Sequence, residues 1–323
     1  MRALELARRD APGRVCPADY RYAPGVFNRT VDLTTDVLYV VGGLYGNLAA
    51  LRQIEWLACR ERQPVAIVYN GDFHWFDADP EWFDTIEQAV TRHRAIRGNV
   101  ETEIARTSDI AAGCGCAYPD SVDDGTVTRS NDILRRLRAV VSAAAAASLR
   151  TLPMHLVARV GSLRVGIVHG DATSLAGWRF AHDALDAPAN IAWLGDIRRQ
   201  SAVDVFASTH TCLAALRDFE TPHGRLTVVN NGSAGMANFS DSTFGLISRI
   251  ATRPSPHAAL YAARHDDVFI EAIPVHYDVA AFLARFETCW PEGSAAHTSY
   301  YRRIVGGPSY SIEQAKGHAD VAA

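Results

Sequence analysis

Apolar residues first gather at 37–41, a β-branched run closed by Gly42-Gly43. From Asn47 the spacing changes: Leu48, Leu51, Ile54 and Ala58 fall on one face of a predicted helix. Residues 65–69 return to the strand pattern, 81–93 to the helical one, and 95–97 form a brief strand before Gly98. Such alternation predicts a parallel sheet with helices packed on it. Downstream the pattern predicts pairs: 154–160 and 163–169 flank Gly161-Ser162, a hairpin signal, and 213–219 and 226–230 flank Pro222-His223-Gly224. Further strands are expected at 203–207, 244–247 and 268–273, with helices at 131–147 and 191–200. Residues 112–130, rich in Gly, Asp and Cys, read as a loop; 170–183 read as a loop with a short helix. No repeat or linker divides the chain. Residues 1–34 read as an extension, 35–280 as one α/β domain, and 281–323 as a helix and tail packed on it.

Composition narrows the function classes. At 323 residues and 48% hydrophobic, the chain supports a large core, and its net charge of −4 offers no basic footprint for nucleic acid or an anionic membrane. The first 19 residues lack an apolar stretch of signal-peptide length, and no run approaches the roughly 20 apolar residues of a membrane span. A cytoplasmic protein is the expectation. The six scattered cysteines read as reduced thiols, although the Cys114-x-Cys116 pair and Cys212, two residues after His210, leave metal chemistry open.

Candidate chemistry enters at the strand ends. Asp72, Asn99, His169 and His210 each follow a predicted strand, and in open α/β sheets ligands collect beyond the carboxyl ends of strands. A set of carboxylate and amide oxygens with imidazole nitrogens suits Mn, Fe or Zn. Their contexts run in order: Gly42-Gly43-Leu44-Tyr45-Gly46-Asn47, Asn70-Gly71-Asp72-Phe73-His74-Trp75, Arg97-Gly98-Asn99-Val100-Glu101, Val168-His169-Gly170-Asp171, Ser208-Thr209-His210-Thr211-Cys212 and Asn230-Asn231-Gly232-Ser233. Over residues 37–235 this series resembles the metallophosphoesterase (calcineurin-like) superfamily, whose signature is D-x-H, G-D-x-x-D, G-N-H-[DE], a histidine often followed by Gly, and G-H-x-H. The resemblance implies a four-layer αββα sandwich with two mixed β-sheets flanked by helices. It also implies that Asp72 bridges two metal sites, with Asn99, His169 and His210 completing the second.

The remaining family positions have changed. The private ligands of the first metal are replaced by Gly43, Tyr45 and Cys212, so one ion is expected unless Tyr45 and Cys212 rebuild that site. Trp75 stands for the second aspartate of G-D-x-x-D, and Val100 for the histidine assigned to the leaving group. His74 is the candidate replacement proton donor, with Asp77 a further one; Asp72 and His210 are counted with it as catalytic. Glu101 is expected to orient its neighbours at a helix start. Asn47, Arg97, Cys114 and Cys116 are candidate substrate contacts, the cysteines on a loop able to fold over the active edge. The expected function is metal-dependent hydrolysis of a small phosphorylated substrate, a phosphatase or phosphodiesterase; the alternative is a metal- or phosphate-binding regulatory protein on the same fold. Gly42-Gly43 does not meet the G-x-G-x-x-G spacing, which sets a dinucleotide-binding oxidoreductase aside. The terminal segments are free to cover sheet edges or to support a homo-oligomer.

Overall fold

Val37, Tyr39 and Val41 point to one side of their strand and Leu38 and Val40 to the other, and both sides are buried. A strand apolar on both faces belongs in the middle of a layered structure. The computed structural model describes residues 11–108 and 110–317; residues 1–10 of the extension and 318–323 of the tail lie outside the described residues. In chain order it contains β1 (Leu33–Thr34), β2 (Val37–Val41), α1 (Leu48–Cys59), β3 (Val65–Asn70), α2 (Pro80–Val90), β4 (Arg94–Ile96), α3 (Asn99–Ile104), α4 (Asp124–Val140) and α5 (Ala143–Thr151). There follow β5 (His155–Val160), β6 (Leu163–Val168), α6 (His182–Asp186), α7 (Pro188–Ser201), β7 (Val205–Ser208), β8 (Ala215–Thr221), β9 (Gly224–Asn230) and β10 (Gly245–Ala251). The chain then forms β11 (Tyr261–His265), β12 (Val268–Val275), α8 (Val279–Cys289), α9 (Ala295–Gly306) and α10 (Ile312–Lys316).

Two mixed sheets result, in the orders β11-β12-β10-β2-β3-β4 and β1-β5-β6-β7-β9-β8. Between them, Leu38, Val40, Val68 and Ile270 of one sheet meet Val165, Ile167, Val205 and Val229 of the other. The outer face of the first sheet packs on apolar side chains of α1, α2, α4, α5, α8 and α9. That of the second packs on Leu194 and Ile197 of α7. The architecture is the expected four-layer αββα sandwich.

Two local expectations are corrected. The single helix read over 131–147 is two, because the chain turns extended at Val141 and Ser142, whose hydroxyl caps the new helix through Ala145 N–H. Residues 124–130, read as loop, already belong to α4, which Asp123 caps through Thr126 N–H. Strand β11 and helices α9 and α10 had no distinct sequence signal.

The extension from residue 11 onward is packed. Tyr20 and Phe27 are fully buried, and Tyr20 Oη donates to Glu103 at 2.7 Å. The parallel strands β2, β3 and β4 of one sheet and β6, β7 and β9 of the other deliver their carboxyl ends to one edge of the sandwich. The Asn231–Ser233 turn ties the sheets together there: Asn231 Nδ2 donates to the Gly42 carbonyl at 2.9 Å and Ser233 Oγ to that of Gly43 at 3.2 Å.

Leu38 is fully buried between the sheets beside the strand that leads to Asp72. Leu38→Ala should cost about 2–5 kcal/mol, measured as a lower urea midpoint with unchanged slope.

Candidate metal centre

After β3 the chain turns sharply through Gly71 (φ 76°) and Asp72 (φ 52°). A non-glycine residue in the left-handed region needs holding in place. Glu101 does so: its Oε2 accepts the N–H groups of Asp72 and Gly98, each at 2.8 Å, and its Oε1 that of His74 at 3.3 Å. Gly98 allows the two loops to touch, since a Cβ there would lie 2.3 Å from Asp72 Oδ1. Burial and the Asp72 charge raise the Glu101 carboxyl above its ordinary range.

The four strand-end residues meet in space. His169 Nε2 lies 3.0 Å from Asn99 Oδ1, 3.1 Å from His210 Nδ1 and 3.4 Å from Asp72 Oδ1. The tautomers follow from the opposite side of each ring. His169 Nδ1 faces the Asn70 carbonyl at 2.9 Å and His210 Nε2 faces the Cys116 carbonyl at 3.0 Å. A carbonyl only accepts, so those nitrogens carry the protons of the neutral rings and the other two present lone pairs. Asn99 is oriented likewise, its Nδ2 donating to the Cys114 carbonyl at 3.0 Å. Four lone-pair atoms thus crowd one point with their hydrogens turned away.

That arrangement fits a cation. Ligands about 2.1 Å from a tetrahedral or octahedral ion are separated by about 3.0–3.4 Å, the separations that His169 Nε2 keeps from the other three atoms. Asp72, His169 and His210 form a buried group able to hold a metal. Backbone carbonyls behind both imidazoles supply the outer contacts that orient metal-ligating histidines. Without an ion, burial disfavours a charged His169 but the Asp72 carboxylate outweighs it and raises the imidazole, so an ion held there would take the place of a proton on Nε2; His210, buried against His169, falls to about 3.

The other candidates are distributed differently. Tyr45 Oη and Cys212 Sγ are hydrogen-bonded to each other at 3.0 Å, and burial raises both groups in the ion-free chain. Gly43 makes room for this pair, since a Cβ there would lie 3.0 Å from the Tyr45 ring. His74 does not reach the cleft. Both ring nitrogens are engaged, Nδ1 with Asp77 and Nε2 with Glu87 at 3.2 Å, and the fully buried ring stacks on Phe83 at 3.6 Å. It is a structural ion pair, and Asp77, its partner, is buried with it. Asn47 caps α1 through Ala50 N–H and donates to the Gly235 carbonyl, so its side chain is spent on the fold. Arg97 lines a separate groove with Asp19, Arg106 and Arg150.

Cys114 and Cys116 do fold against the site, but chiefly through their backbone. The φ angle is positive at Ala111, Gly113, Gly115 and Ala117, and the carbonyls of the intervening cysteines both face the ligands. Cys116 Sγ adds a contact to Asn99 Nδ2 at 3.4 Å. Gly115 cannot carry a side chain, because a Cβ would sit 2.3 Å from Tyr20 Oη.

A cleft of about 180 Å³ opens over Asp72, Asn99 and His210. Trp75, Val100, Tyr118, Trp178 and Tyr300 wall it, and Arg303 stands at its side. Sequence reasoning missed Tyr300 and Arg303, which lie in α9 outside every motif. Trp178 was missed too; its indole N–H donates to the Cys116 carbonyl at 3.0 Å and its ring packs edge-on against His210.

No family model matches the chain, and no curated protein is similar to it. Among solved structures, a hypothetical protein from Pyrococcus horikoshii OT3 superposes with a TM-score of 0.57 at 19% identity, over 85% of this chain and 99% of that one. A metallophosphoesterase from Sphaerobacter thermophilus superposes with a TM-score of 0.52 at 15% identity, over 84% and 100%. The fold is that of the calcineurin-like metallophosphoesterases. No helix of the described residues is long and apolar enough to cross a membrane.

Asp77 and Glu87 overcome the burial that disfavours charge and raise His74 from 6.5 to about 9. A group with a raised folded pKa contributes stability that is complete below its unfolded pKa and lost as pH rises through the folded one. Urea unfolding should therefore show a loss on the order of 3 kcal/mol between pH 6.5 and 9.5, and His74→Gln should flatten that dependence.

Proposed function

We propose that the chain hydrolyses small phosphoesters with one divalent transition-metal ion, Mn, Fe or Zn, held by Asp72, Asn99, His169 and His210. The observation that carries this reading is the convergence of four lone-pair atoms whose hydrogens all point away, two of them fixed by the Asn70 and Cys116 carbonyls. Bound there, a divalent ion supplies Lewis acidity toward a phosphoryl oxygen and toward water.

The chain's own residues do the rest. Val100 N–H donates to Asp72 Oδ1 at 3.2 Å and aims the carboxylate. The apolar and aromatic walls limit water beside the ligands and strengthen electrostatic contacts made there. Tyr45 and Cys212, as a hydrogen-bonded pair, fill the space of the first metal's private ligands, which favours one ion over two. Among the described residues lining the cleft, His210 is the only imidazole and Asp72 the only carboxylate, and both are ligands. With His74 turned elsewhere, no further imidazole or carboxyl group protonates the departing oxygen, so weakly basic leaving groups are favoured.

The second reading, binding without turnover, is favoured by that same Tyr45–Cys212 pair, since it removes one half of the usual two-metal clamp.

Elemental analysis after separate loading with Mn, Fe or Zn should find one ion per chain, lost in His169→Ala and Asp72→Ala and kept in Cys212→Ser. Two ions, one lost in Cys212→Ser, would mean that Tyr45 and Cys212 rebuild the first site. No ion under any loading would overturn the metal reading. On the loaded protein, p-nitrophenyl phosphate should turn over at least a hundredfold faster than an alkyl phosphate; equal rates would mean that a phenol or thiol of the cleft, from Tyr45, Tyr118, Tyr300 or Cys212, protonates the leaving oxygen. Ion uptake with no turnover of either would favour the binding reading.

A further inference from the structure

Resting on that reading, we infer that the Arg303 guanidinium acts as the second cation of the site and selects a phosphomonoester dianion as substrate. Arg303 projects from α9 into the cleft that contains Asp72, Asn99 and His210. Its Nη2 donates to the carbonyl of Cys212 and its Nε to that of Ala237 at 3.1 Å. The head group is thereby fixed beside Tyr45 and Cys212, where the first metal's private ligands would stand. Nη1 has no hydrogen-bond partner among the described residues, and an anion in the cleft is the partner it fits.

Among the described residues Arg303 meets no carboxylate, as is true of the partly buried Arg97, Arg129 and Arg164, but of these four it alone lines the cleft. The most deeply buried arginines each meet a carboxylate: Arg14 with Asp124, Arg217 with Asp186, and Arg249 with Glu61 and Glu271. Arg303 is partly buried and meets none among the described residues. A guanidinium held in a partly desolvated cleft without a carboxylate leaves its charge for a ligand. The balance then sets the class of ligand. A divalent ion on Asp72, the only carboxylate among the described residues that line the cleft, retains one positive charge, and Arg303 adds another. A phosphomonoester dianion neutralises both, whereas a diester monoanion leaves one unmatched.

The test is calorimetric binding of inorganic phosphate, and of dimethyl phosphate as the monoanionic comparison, to the ion-loaded full chain. Wild type should bind phosphate at least tenfold more tightly than dimethyl phosphate. Arg303→Met should keep its ion count and weaken phosphate about ten- to a hundredfold, the loss of a charge-assisted contact, while changing dimethyl phosphate less. Arg303→Lys should recover part of the affinity. Phosphate affinity within twofold of wild type in Arg303→Met would overturn the inference alone, because the ion would still be present. If Arg303→Met does not fold, the neutral Arg303→Gln carries the comparison, and a phosphate affinity within twofold of wild type there overturns it equally. A second ion lost in Cys212→Ser also overturns it, since a metal would then occupy the place given to the guanidinium. A chain that takes up no ion overturns the functional reading and this inference together.

Discussion

The Glu101 carboxylate is the contact on which the site's geometry rests. It accepts N–H groups from Asp72 and Gly98 with one oxygen and from His74 with the other, joining the turn after β3 to the turn before α3. Each of those N–H groups is buried, and a buried donor left unpaired costs about 1–3 kcal/mol. Fixing them holds Asp72 in its left-handed conformation and sets Asn99 against His169. The raised carboxyl of Glu101 reflects the burial that this role demands.

Around that clamp two histidines and an asparagine are held from behind by main chain. His169 and His210 rest on the carbonyls of Asn70 and Cys116, and Asn99 on that of Cys114. Main-chain acceptors do not titrate, so these three contacts lose no acceptor as the pH changes. Opposite them, the Tyr45–Cys212 pair lines the cleft. One half of the site gathers Asp72, Asn99, His169 and His210, and the other holds a hydrogen-bonded pair beside a guanidinium.

Much of this was legible in the sequence. Asp72, Asn99, His169 and His210 stand out because strand ends are easily located and the topology brings them to one edge. What a side chain does within a turn is harder to read. His74 lies two residues from Asp72, yet its ring faces Asp77 and Glu87 across the first helix layer, a direction set by packing on Phe83. Asn47 and Arg97 stand near the motifs for reasons of capping and groove packing. The loop carrying Cys114 and Cys116 was expected over the active edge, but its carbonyls do most of the orienting, and residue type says nothing about carbonyl direction. Arg303 and Tyr300 carry no local pattern at all, because their meaning arises only when α9 docks beside the cleft.

The alternating left-handed loop from Ala111 to Ala117 has a consequence for how the protein is made. His210 is oriented by a residue 94 positions earlier, and Arg303 by one 91 positions earlier. The loop itself leans on the N-terminal extension, through Gly13 N–H on the Ala112 carbonyl and Tyr118 N–H on the Gly13 carbonyl. Contacts so distant along the chain form late, since their loop-closure entropy must be met before they return any stability. The cleft is complete only when Gly13 and α9, which lie near opposite ends of the described residues, have both docked. A nascent chain released before α9 emerges carries the four ligand residues but lacks the helix that completes the wall of their cleft.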